Sequence, residues 1–159
     1  MLSCLSLCCA RFVRILIKME LKFMLTPQEF TREDLRLRAD HSGKNGLTNH
    51  FAAWESGEEI AFLSLDIYPP KQFPEIDWYT IYEIFVPAPL RSKGIATRVL
   101  AAAEHVGRDR GLRYARLYAK PLDNSRTQEQ LVEWYSRHGY IIMPDSSSMD
   151  MHKDLTLMR

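Results

Sequence analysis

Beyond residue 9 the chain contains no cysteine: Cys4, Cys8 and Cys9 are the only three. No disulfide framework can staple the body of the protein, no thiol there can act as nucleophile or metal ligand, and a reducing cytoplasm is the expected compartment. An excess of one charge is also missing, with 21 basic against 20 acidic residues. A nucleic-acid binder that relies on a general positive field is therefore not expected. Long apolar runs are absent too. The leader begins apolar, but Arg11, Arg14 and Lys18 interrupt it before a membrane-spanning length is reached. Those charges follow the apolar stretch, whereas a secretory signal carries them ahead of it. His41, His50, His105, His138 and His152 lack metal-ligand spacing, so no metal is expected. Neither GxxxxGK[ST] nor GxGxxG occurs, which removes a P-loop and leaves a dinucleotide fold unsupported.

What remains is a 159-residue chain of ordinary globular composition, enough for one domain with a proper core. The pattern changes at Met19, so residues 1–18 read as an extension and 19–159 as the domain. Met19 and Met24 could each serve as a start. Arg11, Arg14 and Lys18 would share one helical face, and a membrane-surface helix is the alternative to a plain extension. The plain extension is expected, and no membrane partner.

MELKFML alternates as a first strand. Thr31–Asp40 reads as a helix capped by Thr31, with Glu33 and Asp34 at its positive end. His50–Glu55 and Glu59–Tyr68 form a hairpin about Ser56–Gly57–Glu58. PPKQFPEID, with three prolines, is a surface loop. Trp78–Val86 has the composition of a central strand, which Pro87 and Pro89 end. A helix follows over Gly94–Arg110, with Ile95, Val99, Ala102, Ala103 and Val106 on one stripe. Arg113–Ala119 is a strand. A helix over Thr127–His138 opens on two overlapping cap signatures, Ser125/Gln128 and Thr127/Gln130. Tyr140–Met143 and Met149–Leu157 close the chain around PDSSS. The order β-α-β-β-β-α-β-α-β-β predicts an α/β fold with a mixed, mostly antiparallel sheet flanked by helices.

Val86–Leu100 (VPAPLRSKGIATRVL) carries the chemistry. A strand stops at prolines, a basic glycine-containing turn follows, and a helix begins at once. The first N–H groups of a helix lack internal partners and carry the positive end of its dipole, so such a turn is an anion site suited to pyrophosphate. Gly94 lets the backbone approach the phosphates, Ala96 does so less completely, and Arg91 and Lys93 add charge.

Arg91-Ser92-Lys93-Gly94-Ile95-Ala96 resembles the (Q/R)xxGx(G/A) signature of the GNAT (GCN5-related) N-acetyltransferases. Leu131–Tyr140 (LVEWYSRHGY) resembles the family's late aromatic–Tyr–x–x–x–Gly–aromatic run. The resemblance is strong over Tyr79–Leu155 and loose before it. It implies the acyl-CoA N-acyltransferase fold, acetyl-CoA as acyl donor, and an amine as acceptor. It also implies that Phe85 and Val86 pair through their main chain with the pantetheine arm, that Arg91, Ser92, Lys93, Gly94, Ile95 and Ala96 hold the pyrophosphate, and that Tyr135 protonates the leaving thiolate. One departure stands out: where many relatives carry Asn seven residues before that tyrosine, this chain has Gln128.

Glu83 sits mid-strand among Ile81, Tyr82, Ile84 and Phe85, where an unpaired buried carboxylate is expensive. It is the candidate general base, in competition with a structural or substrate-binding glutamate. Asp66 is a weaker competitor. The aromatic loop Tyr68–Tyr79 is either a wall of the acceptor site or a local apolar patch. The partners expected are a small amine or a peptide, with self-association into a homodimer left open and no nucleic acid. An acetyl-CoA-binding regulatory module without turnover, and an acetyltransferase of a protein or aminoacyl-tRNA, are the competing readings.

Overall fold

The computed structural model describes residues 18–43, 46–144 and 149–157. The leader with its three cysteines and most of the PDSSS turn lie outside the described residues. Strands β1 (Glu20–Met24), β2 (Thr48–Glu55), β3 (Glu58–Asp66), β4 (Trp78–Phe85), β5 (Tyr114–Tyr118), β6 (Ile141–Ile142) and β7 (Asp150–Asp154) alternate with helices α1 (Glu33–His41), α2 (Ile95–Asp109) and α3 (Gln128–Arg137). The element order is the one the sequence predicts, and the boundaries shift by a few residues. The hairpin between β2 and β3 uses two residues, Ser56 and Gly57, both at positive φ, rather than three.

The seven strands form one sheet in the order β1-β2-β3-β4-β5-β7-β6. Every pairing is antiparallel except β4 with β5, the two strands that α2 connects as a crossover. One face of the sheet packs against α2 through Leu63, Leu65, Ile81, Val99, Leu100 and Ala103. Leu131, Trp134 and Tyr135 of α3 lean on the same cluster. The second cluster gathers Phe30, Leu35 and Ala39 of the α1 region against Ala52 and Phe62.

Two local expectations need correction, and a choice left open at α3 is resolved. Thr31 does not cap α1; Arg32 occupies that position without a side-chain cap bond. The acceptor comes from β3, where the buried Glu59 carboxylate takes the Thr31 N–H at 2.9 Å and the Arg32 N–H at 2.8 Å. A carboxylate at a helix N-terminus also meets the dipole favourably, so a long-range partner replaces a local one. Of the two signatures before α3, the second is used: Thr127 accepts from the Gln130 N–H, and the Gln130 side chain accepts from the Thr127 N–H at 2.9 Å. The buried face of α2 is rotated from the expected stripe. Leu100, Glu104 and Gly107 are buried, whereas Ala102 and Val106 are only partly so. Glu104 is tolerated there because Lys153 of β7 donates to both carboxylate oxygens at 2.9 Å and the Tyr140 hydroxyl donates at 3.2 Å. Gly107 is required because a Cβ there would lie 2.3 Å from the ring of buried Tyr79.

Candidate functional site

β4 and β5 are paired only over Trp78–Ile81 and Tyr114–Leu117. Beyond Ile81, β4 continues to Phe85 with β3 alone beside it. The departure coincides with a β-bulge: Ser64 pairs with Glu83 and Leu65 with Ile81, leaving Tyr82 as the extra residue. A bulge bends its strand and, because side chains alternate, moves everything after it to the other face. Ile81 therefore packs in the α2-side cluster, while Glu83, two residues on, meets Arg38 of α1. The strand composition was legible, but this reversal was not.

The opening between the strands is a cleft. It is lined by Ile81–Val86 on one side, Tyr118 and Lys120–Asp123 on the other, Arg91, Ser92, Ile95 and Ala96 at the start of α2, and Leu131, Trp134 and Tyr135 of α3. Eight of the ten site residues expected from sequence thus share one cavity: Glu83, Phe85, Val86, Arg91, Ser92, Ile95, Ala96 and Tyr135. Lys93 and Gly94 are exposed at its rim and do not line it.

The turn before α2 has the geometry of an anion site. φ is +62° at Ser92 and +71° at Gly94, with Lys93 between them outside the positive region. Alternation of this kind curls successive N–H groups toward one point. The Gly94 carbonyl receives the first helical bond, from the Arg98 N–H at 3.2 Å, and Gly94 supplies no side-chain cap. The N–H groups of Ile95, Ala96 and Thr97 precede that bond, the orphan donors of a helix start. Gly94 is needed for its left-handed backbone; an added Cβ would meet no atom within 4 Å.

Arg91 does more than add charge. Its Nε donates to the Val86 carbonyl at 2.9 Å and its Nη2 to Asp123 Oδ2 at 2.8 Å. The guanidinium thereby ties the end of β4 to the loop after β5 across the cleft, and one lone pair of the Val86 carbonyl is already taken. Asp123, bonded by Ser125 and Arg91, titrates well below the usual carboxylate range.

Glu83 is buried, and its Oε1 has no hydrogen-bond partner among the described residues. Arg38 Nη1 lies 3.4 Å from that oxygen, an ion-pair distance without hydrogen-bond geometry. Burial raises the Glu83 pKa, and the Arg38 charge opposes the rise. Tyr135 stands edge-on to Trp134 at 4.8 Å and to Tyr140 at 5.7 Å. Burial pushes its phenol up to about 12, so the hydroxyl keeps its proton at neutral pH.

Other candidates lie elsewhere. Asp66 accepts from Thr48 Oγ1 at 2.6 Å and does not line the cleft. Tyr68, Phe73 and Trp78 form a separate aromatic cluster, Tyr79 is buried with its hydroxyl on the Ala103 carbonyl, and none of the four lines the cleft. Gln128 does not line the cleft. Asp123, which lines the cleft, and Arg38, which meets Glu83 from α1 without lining it, were not anticipated; neither has a local motif, and only the fold brings them there. Among the described residues no group of three or more His, Cys, Asp or Glu side chains is placed to hold a metal. No helix among them is long and apolar enough to cross a membrane.

A mixed sheet opened between a parallel pair of strands, with a phosphate-type turn at the mouth, defines the acyl-CoA N-acyltransferase class of fold. The sequence model of the Acetyltransferase (GNAT) family matches residues 16–140, and the chain belongs to that family. Solved structures agree on the fold. The PaiA N-acetyltransferase from Thermoplasma acidophilum in complex with coenzyme A aligns with TM-score 0.58 at 16% identity, covering 87% of this chain and 99% of that one. A GNAT family acetyltransferase from Elizabethkingia anophelis with acetyl-CoA bound aligns at 0.60 and 16% identity, covering 86% and 97%. AtaTR bound with acetyl-CoA aligns at 0.61 and 13% identity, covering 87% and 94%. No curated protein matches the sequence significantly.

Proposed function

We propose that this chain binds acetyl-coenzyme A in the cleft between β4 and β5 and transfers its acetyl group to a primary amine. The observation that carries the reading is the convergence of three features on one cavity: an unpaired strand segment, a turn with orphan N–H groups, and two proton-transfer candidates. The main chain of Phe85 and Val86 offers an added strand's hydrogen bonds to the amides of the pantetheine arm. The turn from Arg91 to Ala96 receives the pyrophosphate, with Lys93 contributing charge from the rim.

Acyl transfer by direct attack needs a neutral amine and a proton for the departing thiolate. Glu83 takes the proton from the amine, directly or through one water, and burial keeps its carboxylate more basic than usual. The amine nitrogen attacks the thioester carbon, and collapse of the tetrahedral adduct breaks the carbon–sulfur bond. Tyr135, still protonated, gives its proton to the sulfur. The acceptor is a small amine or a peptide.

The test is amine-dependent release of free coenzyme A, with thermal melting as an independent reading of binding. Acetyl-CoA at a hundred times its Kd should add about 2.7 kcal/mol of apparent stability. Stabilisation without release on any amine would leave a binding module; neither response would remove the reading altogether.

A further inference from the structure

Glu83, which lines the cleft, and Arg38, which meets it from α1, are each short of hydrogen-bond partners among the described residues. Arg38 reaches from the last turn of α1 and lays its guanidinium 4.4 Å over the ring of Phe85. Its nearest anion is Glu83 at 3.4 Å, and among the described residues no acceptor forms a hydrogen bond with its side chain. A guanidinium offers five N–H donors in a planar fork matched to a carboxylate, so nearly all of that capacity is unused. Glu83 has the complementary deficit, a buried oxygen with no donor. Arg38 is 31% exposed and reachable from solvent, whereas the Glu83 side chain is only 8% exposed.

An ion pair that is solvent-exposed on one side and lacks hydrogen-bond geometry is a weak contributor to stability. It is, however, a mould. Opposite charges 3.4 Å apart present the inverse of a zwitterion, in which an ammonium and a carboxylate carbon are held about 2.5 Å apart through one tetrahedral carbon. We infer that the acceptor is an amine carrying its own free carboxylate, of the α-amino acid class, with Arg38 binding the carboxylate while Glu83 receives the amine. Resting on the acetyltransfer reading above, this names its substrate. Docking adds two hydrogen-bonded pairs beside an internal pair that lacks hydrogen-bond geometry. Phe85 holds the fork in place, so little side-chain freedom is lost on binding. Polyamines, protein lysines and aminoacyl esters lack a carboxylate at that distance, and each would leave Arg38 unpaired.

The experiment compares free-CoA release from three matched acceptors, an amino acid, its amide and its decarboxylated amine (leucine, leucinamide and isoamylamine first, then a polar and an aromatic set). It uses the full chain and its Arg38→Met and Arg38→Lys variants, with calorimetric titration of acetyl-CoA alongside. A site built around a charged fork should favour the acid by at least about 100-fold in kcat/KM over either analogue. Arg38→Met should bring that ratio to about one while acetyl-CoA affinity stays within about twofold, and Arg38→Lys should fall between, because it keeps the charge and loses the fork. Equal use of acid and amide by the wild-type chain overturns the inference and leaves acetyltransfer standing, as does a ratio that survives Arg38→Met. Acetyl-CoA binding without release of coenzyme A on any amine overturns both.

Discussion

Gly94 separates strain from electrostatics in one residue. Its φ of +71° is a left-handed conformation, and a Cβ there would meet nothing within 4 Å. Gly94→Ala therefore adds backbone strain and no clash, a cost of about 1–2 kcal/mol in stability. Asn and Asp tolerate this conformation better, so both variants should melt above the alanine one. They differ from each other only in charge. A carboxylate about 5 Å from a phosphoryl charge, at an effective dielectric of 20–80, is repelled by about 1–3 kcal/mol. Gly94→Asp should thus bind acetyl-CoA from about fivefold to more than 100-fold more weakly than Gly94→Asn, with the gap shrinking between ~50 and ~500 mM salt as screening shortens. Titration calorimetry on the two variants at both salts measures it. Equal affinities for Asp and Asn would mean that no phosphate approaches the turn, and the site would have to be moved.

Tyr135→Phe keeps the ring packed and removes the hydroxyl, so single-turnover transfer at saturating amine should slow by about 10²–10⁴-fold with acetyl-CoA affinity unchanged; a wild-type rate would make Tyr135 a core residue. Glu83→Gln should lose activity yet melt relatively higher at pH 7 than at pH 4. The folded pKa lies above the unfolded one, so the native state holds its proton longer, and wild-type stability declines as pH rises from the unfolded pKa through the folded pKa. A melting difference that does not change with pH would show that Glu83 is not desolvated. Glu104→Ala strands Lys153 in the core and should cost about 3–5 kcal/mol in urea unfolding; a loss under ~1 kcal/mol would show that water reaches the pair.

The sequence was informative wherever a rule is local. The prolines after β4, Thr127 with Gln130, and the turn between β2 and β3 each act within a few residues, and each element appears where it was read. The turn before α2 was legible for the same reason, and Gly94 there also meets the need for a left-handed backbone. What escaped is set by pairing across the fold. The bulge at Tyr82 depends on how β3 and β4 register, and without it Glu83 would share a face with Ile81. Glu59 reaches the start of α1 from 27 and 28 residues away, and Glu104 meets Lys153 across 49, separations no window contains. Arg91 could be read as a phosphate contact, but its bonds to Val86 and Asp123 needed the cleft to be seen closed.

The strand order has a consequence for biosynthesis. β7, the last of the described strands in chain order, is an interior strand lying between β5 and β6. Until Asp150–Asp154 emerges, β5 has β4 on one side over four residues and an unpaired edge on the other, and β6 has no strand beside it. Glu104 likewise waits for Lys153. A nascent chain can complete the β1–β4 meander early, but β5, on the far wall of the cleft, gains its second neighbour only once β7 has emerged. Any product shortened before Asp150 would expose two strand edges and a buried carboxylate without its lysine together, a form suited to prompt recognition by quality control.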